Sequence, residues 1–301
     1  MRKIIAILLL CGLYAQAPAQ EQKPLRVFLI GNSFSQNASR YLGQIVRSGG
    51  HRIELGKAEI GGCPLQRHWD SVQANLLDSA RGKAYNGKSL KELLSGGTWD
   101  VVTIQQYSLL SGDEKTYYPY AEKLYAFIKQ LQPDAKVMVH QTWAYRSDAK
   151  KFGRIDGTTT AASQKEMWAQ SRAAYHALAK RLGGLRIIPS GDAFYQVATN
   201  AWWAFQPDET FDTATAVAPA LPAERNSLNV GYSWTKEGRL KFDPNHANEA
   251  GCYLAGLVWY GVLFGEDPAA VTFRPDKVPE DFAAFLKQTA SGVVTQSKKN
   301  P

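Results

Sequence analysis

Val27-Phe28-Leu29-Ile30-Gly31-Asn32-Ser33-Phe34-Ser35 decides how this chain folds. Val27 to Ile30 is a short apolar run with β-branched and aromatic members, which reads as a buried strand. Gly31-Asn32 is a turn signal that ends it. Ser33 therefore sits where a strand stops and a helix begins. In open α/β sheets, ligands bind in the crevice beyond the carboxyl ends of the strands. A serine hydroxyl there serves as a nucleophile when a histidine from elsewhere takes its proton. The plain alternative is a helix-cap or turn serine, and Ser35 is the rival hydroxyl.

Strand-like runs recur at residues 25–30, 52–55, 101–105, 136–140 and 185–189. Stretches of helical period separate them. Leu42, Ile45 and Val46 share one face ahead of Gly49-Gly50. Leu90, Leu93 and Leu94 form a short helix, and Tyr120, Leu124, Phe127, Ile128 and Leu131 a longer one that stops before Pro133. Residues 160–182 carry another, closed by Gly183-Gly184. Such alternation implies parallel strands joined by right-handed crossovers. The expectation is an α/β protein, a three-layer α/β/α sandwich around a central, mostly parallel five-stranded sheet. Residues 206–225 break the rhythm, and 230–234 with 239–242 read as a β-hairpin flanking Thr235-Lys236-Glu237-Gly238. Residues 206–242 thus read as an insertion walling the site, within one domain spanning 20–301. Asn248 is the expected cap of a helix over 248–264, and a short helix follows at 279–291.

Composition bounds the function. Hydrophobic residues make up 45% of the 301, enough for a sizeable core. The formal charge is +8, but no basic stripe or nucleic-acid module is visible, so the charge reads as solvated surface. Arg2-Lys3, the apolar run from Ile4 to Leu13 and Ala17-Pro18-Ala19 read as a cleavable signal over residues 1–19. Its removal lowers the charge by two and leaves no stable membrane insertion. The expected location is periplasmic or secreted. Leu10 directly before Cys11 fits a lipoprotein signal poorly. Cys63 and Cys252 then remain, and the reading favours two separate buried thiols over a bridge. The histidines show no metal-ligand spacing, and no glycine fingerprint for a phosphate or dinucleotide appears; no cofactor is expected.

Near the other end stands Asp243-Pro244-Asn245-His246, before an apolar helical stretch. A serine after the first strand and an Asp-x-x-His before the last long apolar helix resemble the SGNH, or GDSL-like, hydrolases. The match is to a bacterial branch with Gly-Asn-Ser-Phe-Ser as its first block, and it spans roughly residues 25–268. The resemblance implies a flavodoxin-like fold with Ser33 as nucleophile, His246 as base and Asp243 orienting the imidazole. It implies an oxyanion hole from the Ser33 backbone N–H, from Gly62 (or Gly61), and from a side chain in the third block. That block is usually Gly-x-Asn-Asp; here it reads Gln105-Gln106-Tyr107-Ser108, with Gln105 favoured as donor and Gln106 kept. Asn32, His140, Trp143 and Tyr145 are expected to contact substrate, and Asp192 to cap a helix. Pro244 departs from the commoner Asp-Gly-x-His pattern. The implied activity is hydrolysis of a small-molecule or glycan ester, a carbohydrate O-acetyl ester first. The alternatives are a lipase, phospholipase or thioesterase, or a silent carbohydrate-binding protein.

Overall fold

The structure, a computed structural model, describes residues 23–299. The expected signal lies outside the described residues. In chain order the strands are β1 Leu25–Gly31, β2 Ile53–Glu59, β3 Val101–Ile104, β4 Lys136–His140, β5 Arg154–Asp156, β6 Thr159–Thr160 and β7 Arg186–Ile188. Two more, β8 Asn229–Trp234 and β9 Leu240–Ala247, precede the last long helices. Five of them form one sheet in the order β2-β1-β3-β4-β7, with every pairing parallel. Counted within the sheet, this is the 2-1-3-4-5 flavodoxin-like order, whose switch point lies between β1 and β3. Ser33 follows β1 and so stands at that switch point.

Helices cover both faces, as parallel strands require. One layer holds α1 Ser33–Ser39, α2 Leu42–Ser48, α7 Ser190–Ala198, α8 Glu249–Phe264 and α9 Glu280–Lys299. The other holds α3 Leu65–Leu77, α4 Leu90–Leu94, α5 Tyr120–Leu131 and most of α6 Gln164–Arg181. β1 shows why its run from Val27 to Ile30 is apolar throughout. Val27 and Leu29 enter the first layer with Leu42 and Leu254, while Phe28 and Ile30 enter the second with Leu65 and Leu124. α8 is apolar on every side, with Ala250 through Val262 all buried, because α1, α2, α7 and α9 surround it. Asn248 caps it by accepting from the Gly251 N–H, and Gly265 ends it at φ +76.

Several elements differ from expectation. β2 runs on to Glu59, because on an edge strand only Ala58 needs to be fully buried and polar neighbours do not stop the ladder. α3 was hidden by its sparse buried stripe of Leu65, His68 and Val72. α9 extends to Lys299, past the expected 291. Asp192 is not a helix cap: Pro189 holds that position, and the Asp192 carboxylate accepts from Gln141, Trp168 and Arg172.

β8 and β9 pair antiparallel outside the main sheet. Asn229 pairs with Ala247 and Gly231 with Asp243. One strand advances two residues while the other advances four. Pro244, Asn245 and His246 are thereby pushed out of the ladder in a bulge, which re-aims their side chains. No helix among the described residues is long and apolar enough to cross a membrane.

Candidate active site

The bulge and the β1–α1 turn meet. Ser33 opens α1, and Asn32 caps it by accepting from the Phe34 N–H at 3.1 Å. The His246 Nε2 lies 3.0 Å from Ser33 Oγ, and its Nδ1 lies 2.8 Å from Asp243 Oδ2. With Nδ1–H donating to the carboxylate, Nε2 is left to accept the serine proton. The other Asp243 oxygen accepts the backbone N–H groups of His246 and Asn245 at 3.0 and 3.2 Å. Burial pushes the Asp243 carboxyl up, but the hydrogen bonds from His246 and the imidazole charge overcome it and hold it at about 2. Asp243 is thus ionised at neutral pH. The His246 side chain is 37% exposed, so the site is open to solvent on that side.

The bulge and the residue after it are tied down from outside the ribbon. The Arg146 N–H donates to Pro244 O, the Trp143 indole to Asn245 O, and the Ala247 N–H to Asn37 Oδ1. Phe34, Trp143 and Phe194 stack beneath, with ring centroids 4.3 and 4.4 Å apart. Arg146 does more than its backbone. Its guanidinium is 2% exposed, pairs in two-pronged fashion with Asp148 and with Glu224, and lies between the rings of Phe205 and Phe242. A side chain on Gly231, the partner of Asp243 in the ladder, would collide with this ion cluster. The glycine therefore lets Glu224 and Arg146 pack closely against β8, the ladder partner of the strand that carries Asp243 and His246. Nothing in the sequence around Arg146 signals this role; Glu224, its second carboxylate, is 78 residues away.

The third block departs from the reading above. Gln105 is 1% exposed and faces inward. Its Nε2 donates to Asn32 Oδ1, and its Oε1 accepts from Ser35 Oγ and from His140 Nδ1. Gln106 is fully buried, with Nε2 donating to Thr116 and Oε1 accepting the Leu65 and Tyr107 N–H groups. Both amides are buried and bonded within the protein, so the structure gives them as structural brackets where oxyanion donors were expected. A buried amide must find its partners inside the protein, and here both amides do. Strand alternation could not foresee which partners those would be.

The expected substrate contacts sort similarly. Asn32 is fully buried and donates to Cys63 O, and His140 is fully buried between Gln105 and Ser190. Burial lowers the His140 pKa to about 3, so it is a neutral imidazole. Trp143 is wholly inside the aromatic stack. These three hold up the floor and cannot touch substrate. Tyr145 is 7% exposed, with its hydroxyl on Ser108 Oγ. His68, beneath the turn, lies 3.1 Å from Gly31 O and 2.7 Å from the Tyr85 hydroxyl; burial lowers its pKa to about 4. Ser35 is spent on Gln105.

Backbone donors beside Ser33 remain open among the described residues, the Gly61 N–H, the alternative to Gly62 in the same turn, among them. Ser33 N–H, at the start of α1, and Gly62 N–H, in the turn after β2, have no acceptor in the protein. Gly62 has φ +61, a conformation that favours glycine. Cys63 and Cys252 are separate buried thiols, pushed by burial to about 12 and about 11. Among the described residues no cluster of three or more His, Cys, Asp or Glu could hold a metal ion.

Comparison with known proteins agrees with this architecture. A DUF4886 family protein from Bacteroides uniformis superposes with a TM-score of 0.70 at 23% identity, covering 91% of this chain and 95% of that one. A GDSL-like lipase candidate from Parabacteroides merdae gives 0.45 at 12% identity, over 81% of this chain and 98% of that one. The lipopolysaccharide acetyltransferase periplasmic domain of Salmonella ser. Paratyphi A gives 0.45 at 13%, over 82% and 85%. The last two scores are too low to carry weight here. No curated protein matches. The sheet order is the flavodoxin-like one expected from the sequence, with Ser33 at its switch point. The model of the domain of unknown function DUF4886 matches residues 26–205, more than half of the chain, and the protein belongs to that family.

Proposed function

We propose that this chain is an SGNH-type serine esterase, with Ser33, His246 and Asp243 as its catalytic residues. The observation that carries the reading is the continuous hydrogen-bond line from Ser33 Oγ through His246 to Asp243, at 3.0 and 2.8 Å. In the first step Ser33 Oγ attacks an acyl carbonyl while His246 Nε2 takes its proton. Asp243 stabilises the imidazolium. The tetrahedral oxyanion is held by the N–H groups of Ser33 and Gly62. His246 Nε2 gives its proton to the departing alcohol, leaving an acyl-serine. A water then attacks, His246 takes its proton, and returning that proton to Ser33 Oγ releases the carboxylic acid.

Small acyl groups suit this site. Asn32, Gln105, His140 and Trp143 fill the space beneath Ser33, each 1% exposed or less. A long acyl chain has no tunnel to enter there. With an exported, single-domain chain, acetylated carbohydrate is the leading substrate. The test is release of acetate from acetylated glycans and hydrolysis of p-nitrophenyl acetate. Ser33→Ala is expected to lower kcat by roughly 10⁶-fold. A Ser33→Ala protein as active as the parent overturns the assignment, and faster turnover of long-chain than acetyl esters overturns the acetyl preference.

A further inference from the structure

An oxyanion hole with two backbone donors is short of the side-chain donor that the third block was expected to bring. Gln105 and Gln106 are both committed elsewhere. The next residue in the same segment, Tyr107, is not. It is only half-buried, and among the described residues its hydroxyl makes no hydrogen bond. Resting on the esterase reading above, the geometry points to the Tyr107 hydroxyl as the third donor to the oxyanion.

Three contacts put it there. First, Gln106 acts as a bracket. Its Oε1 binds the Tyr107 N–H at 2.9 Å and the Leu65 N–H at 3.0 Å. That pins the segment after β3 to the one that follows Gly62. Second, the Tyr107 ring lies over Gly62. A Cβ built on that glycine would meet the ring and hydroxyl at 3.8 to 4.0 Å. The phenol therefore stands beside a backbone donor that has no acceptor. Third, Tyr107 and Asp243 share a neighbour in Tyr145. Burial pushes the Tyr145 phenol up to about 12, against its Ser108 hydrogen bond, and Tyr107 and Asp243 both lie near enough to add to the rise. Tyr107 thus stands between the Gly62 turn and Tyr145, a neighbour of Asp243. The Ser33 turn is bonded to the segment after Gly62 through Asn32 and Cys63 O, and to the bulge through His246. A phenol is a single O–H donor on a rigid arm, and tyrosine is among the side chains that serve in oxyanion holes.

Tyr107→Phe tests this cleanly, because the lost hydroxyl bonds nothing in the protein and the melting temperature should not move. Removing one oxyanion donor is expected to lower kcat for p-nitrophenyl acetate by about 10²-fold, with KM changed by less than about threefold. The rate at which a fluorophosphonate labels Ser33 should fall with it. A Tyr107→Phe protein with parental kcat and parental labelling rate overturns the role of Tyr107 and leaves the esterase reading intact. So does a KM increase in Tyr107→Leu without a kcat loss in Tyr107→Phe, which would make the ring a platform. A parent protein that neither labels at Ser33 nor hydrolyses any ester overturns the esterase reading, and the role of Tyr107 falls with it.

Discussion

The two halves of the candidate site are built by opposite means. Ser33 stands on the central sheet. β1 is flanked on both sides by parallel neighbours, and the turn below the serine is held by a buried chain of polar groups running from Cys63 O through Asn32 and Gln105 to His140 and Ser190. His246 and Asp243 stand on a two-stranded ribbon with no third strand. A lone hairpin is marginal in water. Here side chains from elsewhere replace the missing neighbours: Arg146, Trp143, Asn37 and Glu224. Ser33 is thus held on a backbone-paired sheet, and the His246 bulge by a few long-range bonds to Arg146, Trp143 and Asn37. Damage to the two halves should look different.

The sharpest way to break the contrast is at Arg146. Arg146→Met leaves Asp148 and Glu224 facing each other without their cation. Removing one member of a buried ion cluster costs about 3–5 kcal/mol. Hydrogen exchange should accelerate across β8 and β9 while β1 and β3 stay protected, and ester hydrolysis should fall at least tenfold because His246 loses its support. Uniform loosening of the whole chain would dissolve the distinction between the halves.

On the nucleophile side the informative group is Glu59, at the end of β2. Burial raises its carboxyl to about 7, against the nearby Lys57 charge and a Gln36 hydrogen bond. A raised carboxyl pKa means that the folded protein holds a proton the unfolded chain releases. Stability is therefore full below about pH 4.5, declines as pH rises toward 7, and levels off above it. The difference amounts to about 3 kcal/mol. Glu59→Gln should flatten this dependence and raise the melting temperature at pH 8. A thermal melt series from pH 4 to 8 in which parent and variant decline in parallel would remove Glu59 as the cause.

The smallest effect belongs to Trp143→Phe. It keeps the aromatic stack but removes the indole bond to Asn245 O. The expected cost is about 1 kcal/mol, with kcat lowered several-fold and KM nearly unchanged. An unaltered kcat would show that the bulge does not depend on this bond.

Much of this was legible in the sequence. The sheet followed from apolar runs alternating with helical stretches, because strands buried on both faces leave no other pattern. Position marked Ser33, Asp243 and His246 only weakly, and it was the resemblance of their two motifs to the SGNH hydrolases that singled them out; the structure brings their side chains within hydrogen-bonding distance. The partners of polar residues were not legible. Gln105 and Gln106 have the right chemistry for an oxyanion hole, but a side chain at a strand end can turn toward substrate or into the core. Their composition does not decide it; the acceptors around them do. Arg146 was missed for the same reason, since its carboxylates come from a distant and weakly patterned insertion. α3 was missed because its buried stripe is thin.

The register offset between β8 and β9 has a consequence for how the protein stops working. The base rides on slack in a narrow ribbon, so its alignment can be lost by unzipping a few residue pairs, with no strand leaving the central sheet. Heat would then disarm the molecule before it melts it. A sample that has lost its chemistry could still pass for native by every measure of its core.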